Sequence, residues 1–421
     1  MKTPFYLSAF FYLLINSLQA QDPINTWEII NQQSIGEQIN NATSVRIGGG
    51  GNIFVGTNHN GVFQYDPDDA EWINHTMTSV NRIVNPLGVY VLTTTGMSVY
   101  SGEAFNSMSN VTPDGDFWND FRDLAIEPAG HMWVATSGGL VVDSSGNDGQ
   151  RFYTDETNNF PLFDFSPITA VRIDNSNRKW VGTEYGGIIK ISSNGNDFEV
   201  FNTGNSALPS NEIYFIELRD NYLWIGTSAG LVRFNMDNEW VVYSVENTAG
   251  GIPSNDVNAI LFHQNRVIVA TKGGLAVRVN NEWIPYTTGN TNLPSNIITD
   301  LAVHQSEAKL YLTMEGEGVA RILLSEIPEN TVSIEQEISV ADFNVYPNPV
   351  SNELTIQFNK SNRDLISIEI VTVSGETLKQ YKIPKNTKSS TTLDVSSLSP
   401  GTYLLKIVGN DGVVFKKIIK S

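Results

Sequence analysis

A short pattern of apolar and polar positions recurs seven times between residues 53 and 322. Each copy is an apolar run, then a small residue, then in most copies Thr, then a turn that usually contains Gly, and then a second apolar run. The clearest copy is LWIGTSAGLVRF, Leu223 to Phe234. Two apolar runs around a glycine turn predict a β-hairpin, because glycine adopts the positive φ of a tight turn without a Cβ clash.

The spacing of the copies is typical of one propeller blade per copy. The residues in the Thr column are Thr57, Thr93, Thr136, Thr183, Thr227, Thr271 and Met314. Successive members lie 36 to 47 residues apart, which suits a four-stranded blade. An apolar strand such as Ile213 to Leu218 precedes each hairpin, and an aromatic-led strand such as Glu239 to Tyr243 follows it, except after the seventh copy. We name the four strands a, b, c and d.

The number of d strands predicts how the ring closes. A spare aromatic-led strand, Thr26 to Ile30, stands before the first copy. Its pairing with the last blade would join the chain ends and remove an exposed sheet edge. We therefore predict an all-β fold with a seven-bladed β-propeller closed by an N-terminal strand. An open β-solenoid is the alternative, but solenoid repeats are usually shorter than these, at roughly 20 to 30 residues.

The ends of the chain predict export. Lys2 is followed by a short apolar stretch, Phe5 to Leu18, and by the small residue Ala20. This is the pattern of a cleaved signal peptide, and the stretch is too short for a membrane span. The alternating strands and turns of the C-terminal part predict a small Ig-like β-sandwich. The predicted segments are the signal peptide 1–20, the propeller 21–324, the linker 325–342 and the C-terminal domain 343–421.

Charge divides the chain at the linker. Residues 343–421 have ten Lys or Arg and six Asp or Glu, net +4, whereas residues 1–342 have 16 and 39, net −23. The acidic part repels phosphate, so a nucleic-acid partner is not expected. The sequence contains no cysteine, so neither disulfides nor thiolate metal sites are expected. No cofactor is predicted.

The C-terminal domain resembles a known sorting domain. Tyr346-Pro347-Asn348-Pro349, then Leu398 to Tyr403, then the final Lys416 to Lys420 occur in the order found in the sorting domain of type IX secretion cargo of Bacteroidetes. The resemblance implies recognition by the type IX machinery and a secreted, extracellular or outer-membrane surface location. It also implies that the tail is commonly removed, with the cargo then released or fixed to surface lipopolysaccharide. An ordinary Ig-like adhesive module is the alternative.

The repeats resemble the two-component regulator propeller family. Trp224 to Phe234 is similar to that family's W-I-G-T-x-x-G-L-x-R-F signature, and its L-P-S-N turn occurs at Leu208 to Asn211 and at Leu293 to Asn296, with Ile for Leu at Ile252 to Asn255. The resemblance covers residues 27–324 and implies the fold. In that family the propellers usually form the sensor half of membrane-bound histidine kinases that respond to glycans. This sequence has no kinase segment, so the sensory role is not carried over.

A column of polar residues marks a candidate ligand site. The second position of each strand a is polar or amphipathic: Thr43, Asn81, Arg122, Thr169, Tyr214, Asn258 and Thr299. The residues two places later are apolar, for example Val45 and Ile83. Because strand a lies nearest the axis, we expect the polar column at the mouth of the central channel, above a packed core. Seven convergent polar groups suit a small polar ligand, but they equally suit water.

Loops at the same face add candidate contacts. The d-to-a connections Asn106 to Asp120 and Thr154 to Pro167 are long and contain Phe117, Trp118, Phe160, Phe163 and Phe165. Aromatic rings on such loops offer flat apolar area to a sugar or a protein, or else they fill the gap between blades 2, 3 and 4. Glu184 and Tyr185 follow the Thr column in blade 4. Arg122 is predicted to bind a carboxylate or sugar hydroxyls, or else to pair with Asp120 or Asp123.

Catalytic and metal motifs are weak. The sequence has no HExxH, G-x-S-x-G or Walker motif. Asp114, Asp116 and Asp120 form an incomplete calcium-loop pattern and are only a weak metal candidate. We therefore predict a non-catalytic binding protein that recognises a glycan or a surface protein on its loop-rich face.

Two other functions stay open. One is a lyase or glycoside-cleaving enzyme that uses members of the set Arg122, Asp123, Glu184, Tyr185 and Asp300. The other is an accessory component of the secretion or surface-attachment machinery.

Overall fold

The fold is taken from a computed structural model. It describes residues 27–36, 38–67, 71–77, 79–108, 120–143, 150–154, 160–161, 166–264, 266–279, 281–328, 343–358, 365–372, 376–382, 390–409 and 412–421. The predicted signal peptide and most of the predicted linker lie outside these residues. No described helix is long and apolar enough to cross a membrane.

The first half of the described chain consists of short strands in sets of four. It begins with β1 (Glu28–Ile30) and the helix α1 (Gln32–Ile35). Blade 1 contains β2 (Ala42–Ile47), β3 (Ile53–Thr57), β4 (Val62–Asp66) and β5 (Glu71–His75). Blade 2 contains β6 (Val80–Val84), β7 (Tyr90–Thr93), β8 (Met97–Tyr100) and β9 (Phe105–Met108). Blade 3 contains β10 (Phe121–Ile126), β11 (Met132–Thr136), β12 (Gly139–Asp143) and β13 (Gln150–Tyr153). Blade 4 contains β14 (Ile168–Ile173), β15 (Lys179–Thr183), β16 (Ile188–Ile191) and β17 (Phe198–Phe201).

The same arrangement continues to residue 326. Blade 5 contains β18 (Ile213–Arg219), β19 (Tyr222–Thr227), β20 (Gly230–Phe234) and β21 (Glu239–Tyr243). Blade 6 contains β22 (Val257–His263), β23 (Arg266–Thr271), β24 (Gly274–Val279) and β25 (Glu282–Tyr286). Blade 7 contains β26 (Ile298–His304), β27 (Lys309–Met314) and β28 (Gly318–Leu323), and a 3₁₀ turn (Leu324–Glu326) follows.

Each blade is an antiparallel meander, and β1 supplies the fourth strand of blade 7. The order in that sheet is β1-β28-β27-β26, with Ile29 opposite Ala320. The inner strands of successive blades contact one another from β2 to β26, and β26 contacts β2. The sheets therefore follow one another around an axis, and the two ends of this region meet in one sheet.

The Thr column fixes the turn of each hairpin. In six blades the Thr Oγ1 donates a hydrogen bond of 2.7–2.9 Å to the carbonyl of the glycine that ends the turn. The same oxygen accepts from a turn amide, for example from Ala229 N at 3.0 Å in blade 5. A short side chain with one donor and two acceptor sites can close such a turn from inside. In blade 7 the position is occupied by Met314, which has no hydroxyl, so the seventh copy of the repeat lacks this hydrogen bond.

The L-P-S-N turn has an equally local cause. Its Asn side chain accepts from a backbone amide just after the preceding d strand, at 2.8 Å for Asn211 with Thr203 N and for Asn255 with Val245 N. Its Ser side chain accepts from the amide two residues on, as Ser210 does from Glu212 N at 3.0 Å. The motif therefore holds the d-to-a connection against the start of the next blade.

Most of the core lies between neighbouring blades. Trp180 of blade 4 is fully buried and belongs to one apolar cluster with Ile213 and Ile225 of blade 5. Trp224 of blade 5 is buried in the same way, in a cluster with Val267 and Val269 of blade 6. The bulky Trp near the start of strand b thus packs one sheet against the next.

The C-terminal region forms two sheets that enclose an apolar core. One sheet contains β29 (Phe343–Tyr346), β30 (Glu353–Phe358) and β33 (Ser390–Asp394). The other contains β31 (Leu365–Thr372), β32 (Thr377–Lys382), β34 (Gly401–Gly409) and β35 (Gly412–Lys420). Leu354, Ile368 and Ile407 are among the fully buried residues that pack between them.

The last strand of the chain also extends blade 5. β35 pairs with β21, with Trp240 opposite Phe415 and Val241 opposite Val414, so that blade 5 and the tail form one eight-stranded sheet. Trp240 is 4% exposed and shares an apolar cluster with Val371 and Leu404 of the tail. An exposed sheet edge is a site for pairing with another strand, and here the tail occupies that edge.

We expect the tail to stay bound after the chain is cut in the linker. A protease site inserted into residues 329–342 should give two fragments that co-elute in size-exclusion chromatography, because strand pairing and buried apolar area hold them together. Phe415→Lys in the same cleavable chain is the matched variant, and it should release the tail. Separation of the fragments without that substitution would contradict the docking.

Candidate ligand site at the channel mouth

A cavity of about 560 Å³ opens at the face that carries the b-to-c and d-to-a connections. All seven members of the polar column line it: Thr43, Asn81, Arg122, Thr169, Tyr214, Asn258 and Thr299. Asp120, Lys272 and Glu315 add charged groups at its rim. The structure therefore brings the column together at one mouth of the channel, in a volume that suits a small ligand.

A β-bulge in every inner strand places this column. The register of strand a against strand b shifts between the first and third residues in all seven blades. A bulge turns consecutive side chains toward the same side. As a result, Asn81 and Arg82 both line the cavity, as do Thr299 and Asp300. Of the apolar residues two places after the column, Val45 packs between blades, whereas Ile260 and Leu301 line a second cavity farther along the channel.

Most of the column links one blade to the next. In four blades its side chain donates to the carbonyl of the first residue in the next inner strand, at 2.7–3.1 Å. These pairs are Thr43 with Val80, Asn81 with Phe121, Asn258 with Ile298, and Thr299 with Ala42. The last pair joins blade 7 to blade 1. The polarity of the column therefore has a structural cause, which the sequence alone did not reveal.

Arg122 belongs to a network that spans blades 3 and 4. Its guanidinium donates to Asp120 Oδ2 at 2.8 Å and to Glu184 Oε2 at 2.7 Å. Burial lowers the pKa of Arg122, but the hydrogen bonds to Glu184 and Asp120 outweigh it and hold the pKa above the ordinary value. The sequence predicted an ion pair of Arg122 with Asp120 or with Asp123. The pair with Asp120 is present, and Glu184 is an additional partner.

Tyr185 projects beside the mouth and is held by this network. Its hydroxyl donates to Glu184 Oε1 at 2.5 Å, and its side chain is among the large exposed apolar groups, at 63%. Burial by itself would raise the pKa of the Glu184 carboxyl, but hydrogen bonds from Tyr185 and Arg122 hold that pKa below its usual value. The hydrogen bond to Glu184 raises the pKa of the Tyr185 phenol. The ring is thus exposed while its orientation is fixed.

A second network lies at the mouth on blades 5 and 6. The Tyr214 hydroxyl donates to Asp256 Oδ1 at 2.9 Å, and Lys272 Nζ donates to the same oxygen at 2.9 Å. Burial and the bond to Asp256 raise the pKa of the Tyr214 phenol. Lys272 and Glu315 were not identified from the sequence. Both immediately follow the Thr-column residue of their blade, as Glu184 does in blade 4. The first position of the b-to-c turn therefore identifies cavity residues in blades 6 and 7 also.

Several predicted residues do not join this cavity. Phe117, Trp118, Phe163, Phe165, Asp114 and Asp116 lie outside the described residues. Of the two interpretations given for Phe160, contact with a ligand or filling of the gap between blades, the structure shows the second: Phe160 is 2% exposed and packs between Tyr153 and Phe198. Aromatic burial there fills the space between blades 3 and 4. No group of three or more His, Cys, Asp or Glu suited to a metal occurs in the part of the chain that is described.

Charged residues form a second layer below the mouth. Arg172 donates to Asp123 Oδ2 at 2.6 Å, and Arg46 donates to Asp300 Oδ2 at 2.6 Å. Burial raises the pKa of Asp123, but Arg172 and Arg82 outweigh this effect and hold the pKa below its ordinary value. Arg46, Arg82 and Arg172 were not identified from the sequence. They occupy the third or the fifth position of strand a, and without the bulge these positions are not assigned to the channel.

Comparison with known proteins identifies the tail. Residues 344–421 match the family described as the secretion system C-terminal sorting domain. This domain indicates export through the type IX secretion system and implies engagement with its machinery. The protein is therefore secreted, to the extracellular space or the outer-membrane surface. No curated protein matches the chain.

Solved structures with a similar fold include extracellular domains of two-component systems and an enzyme. The extracellular domain of the hybrid two-component system BT4673 from B. thetaiotaomicron matches with a TM-score of 0.59 and 16% identity, over 94% of this chain and 59% of that one. The corresponding domain of BT3049 from the same organism gives 0.60 and 17%, over 94% and 57%. Virginiamycin B lyase from Staphylococcus aureus gives 0.55 and 13%, over 70% and 98%. This chain spans just under three-fifths of those two extracellular domains.

These likenesses concern the fold. At such identities they show an all-β architecture of four-stranded blades, similar to that of propellers. Propellers have many unrelated activities, so the fold alone does not define the function, which depends on the residues of the site.

Proposed function

We propose that this protein is type IX cargo whose seven-bladed propeller binds a carbohydrate ligand at the channel mouth and catalyses no reaction. The proposed division is a signal peptide at 1–20, the propeller at 21–324, a linker at 325–342 and an Ig-like sorting domain at 343–421. The sorting domain supplies export, and the propeller supplies recognition at the cell surface or beyond it. A protein ligand at the same mouth is an alternative outcome of the test below.

The orientation of Tyr185 carries this proposal. An exposed aromatic ring usually has rotational freedom, but the hydroxyl of Tyr185 is bonded to Glu184, which is itself bonded to Arg122. A rigid ring presents flat apolar area at a small entropic cost, and the apolar face of a sugar fits such a surface. Polar groups that line the adjacent mouth, among them Asn58, Lys272 and Glu315, would bind the hydroxyls of the sugar.

The pKa shifts limit the acid–base roles that these side chains can take. A general acid at neutral pH needs a raised carboxyl pKa, and a general base on tyrosine needs a lowered phenol pKa. Glu184 and Asp123 are shifted down, and Tyr185 and Tyr214 are shifted up. Neither carboxyl is thereby held protonated as a general acid, and neither phenol is held ionised as a general base.

Tyr185→Ala is expected to abolish or strongly weaken glycan binding, by about tenfold or more, since a stacked aromatic residue contributes about 1.5–3 kcal/mol when it is covered. A glycan array read with the full chain would identify the ligand, and calorimetry with that glycan would give the affinities. The melting temperature of the Tyr185→Ala variant should not change, because the Tyr185 side chain is exposed. Tyr346→Ala is the matched control, since Tyr346 is 46% exposed but lies in the tail.

Arg122→Ala provides the contrast within this experiment. It should weaken binding and also lower the melting temperature, because it removes the guanidinium that joins Asp120 to Glu184 and links blades 3 and 4. Unchanged glycan binding in Tyr185→Ala would contradict the proposed site. Array-wide absence of binding, together with capture of a surface protein that Tyr185→Ala loses, would reassign the ligand to a protein.

A further inference from the structure

The channel has a second opening on the face opposite the proposed carbohydrate site. A cavity of about 440 Å³ lies there, at the C-terminal ends of the inner strands. Its charged lining consists of Arg46, Arg82, Arg219, Glu217 and Asp300. Its apolar lining comes mainly from blades 5, 6 and 7 and includes Phe215, Leu218, Leu261, Phe262, Leu301 and Val303. The opening therefore combines guanidinium groups with an apolar wall.

Arg82 differs from the other arginines near this opening. Arg46 is bonded to Asp300, Arg172 to Asp123 and Glu217, and Arg219 to Asp220, all at 2.6–3.0 Å. The nearest carboxylate oxygen to Arg82 is Asp123 Oδ1, at 3.7 Å from Nη1, which is too long for a hydrogen bond. Among the described residues, Arg82 thus has an ion pair at this distance but no side-chain hydrogen bond.

The guanidinium of Arg82 is accessible from the channel. It lines both cavities, and 18% of its side chain is exposed. Burial lowers the pKa of Arg82 and outweighs attraction from Asp123, and repulsion from Arg172 and Arg46 acts in the same direction. A cation in such surroundings contributes little to folding. Its hydrogen-bond donors remain available to a ligand.

We propose that this second opening binds an organic monoanion with an apolar body, whose carboxylate pairs with Arg82. The forked donors of a guanidinium match the two oxygens of a carboxylate. The aliphatic or aromatic body of the ligand would then lie against the apolar wall, where Leu261 and Phe262 contribute. This site opens on the other face of the propeller and shares Arg82 and Asp300 with the lining of the first cavity. The proposal does not depend on the carbohydrate site.

The local charge balance favours a monoanion over a dianion. The opening and the layer above it hold four guanidinium groups, of Arg46, Arg82, Arg172 and Arg219, and four carboxylates, of Asp123, Glu217, Asp220 and Asp300. One added negative charge can be met by the free donors of Arg82. A second would face the carboxylates without a partner, at a cost that rises in a partly buried site.

Octanoate, titrated into the full chain by calorimetry below its micellar concentration, is the probe. We expect it to bind, and we expect Arg82→Gln to weaken it by about tenfold or more, as loss of a charge-assisted pair does. Arg219→Gln is the matched control at the same rim, because that residue is already paired with Asp220. Three other ligands each lack one feature of octanoate. Octanol lacks the carboxylate, galacturonate lacks the apolar body, and inorganic phosphate is not limited to a single charge. Each should bind at least about tenfold more weakly than octanoate.

Thermal unfolding separates this role from a structural one. Arg82→Gln should keep the melting temperature or raise it, since it removes a poorly paired buried cation. If that variant does not fold, Arg82→Lys keeps the charge but not the forked donors, and it should also weaken octanoate.

Three outcomes would overturn the proposal. They are no octanoate binding, octanoate binding that Arg82→Gln and Arg82→Lys leave unchanged, and equal binding of octanol or galacturonate.

Discussion

A chain that ends before residue 343 is expected to remain inside the outer membrane. The sorting domain at 344–421 is the segment that matches the type IX address, so its loss should remove recognition by the export machinery. In a bacterium with a type IX system, we expect surface-accessible protein to fall to background, measured by protease shaving of intact cells and by immunoblots of cell fractions. The shortened protein should accumulate in the periplasm.

A fusion distinguishes a lost address from a damaged fold. Removal of the tail exposes Trp240 and the edge of blade 5, which β35 covers in the intact chain, so a shortened chain that aggregates would also fail to arrive. Residues 337–421 should therefore be fused to an unrelated periplasmic enzyme, and we expect that enzyme to reach the surface. Failure of the fusion, or normal arrival of the shortened chain, would show that the tail is not the address.

The repeat made the four-stranded blades predictable, because each hairpin is determined locally. The hydroxyl of Thr227, the turn ending at Gly230 and the buried Trp224 act within a dozen residues, so periodicity in the sequence reports them directly. The same holds for Asn211 and Ser210 of the L-P-S-N turn. The expected location of the protein is confirmed for a similar reason, since the sorting domain is recognised from contiguous motifs.

The site was less predictable because its determinants are not local. Strict alternation assigns Asn81 and Arg82 to opposite sides of strand β6, and only the bulge brings both to the channel. The partner of Thr299 is the carbonyl of Ala42, more than 250 residues away in the sequence. A polar column was therefore visible, but its use in joining blades was not. The pairing of β35 with β21 depends on a free sheet edge, which no pattern within either strand encodes.

The closing strand gives the largest expected effect on stability. β1 pairs with β28, and Trp27 beside it is 6% exposed in the core that blades 6 and 7 share. A chain that starts at residue 38 should lose this core contact and leave β28 as an open edge, and its melting temperature should fall on the order of 10 °C, since loss of one buried Trp alone costs about 3–5 kcal/mol. Differential scanning calorimetry of the two chains measures the change.

Two point variants locate the source of that effect. Trp27→Ala should reproduce a large part of the loss, because the buried ring supplies most of the apolar contact. Glu28→Gln removes only the ion pair with Arg321 at the exposed edge, and it should change the free energy of unfolding by about 1 kcal/mol or less. A chain that starts at residue 38 and unfolds at the same temperature as the intact chain would show that the ring is closed by the contact of β26 with β2 and not by β1.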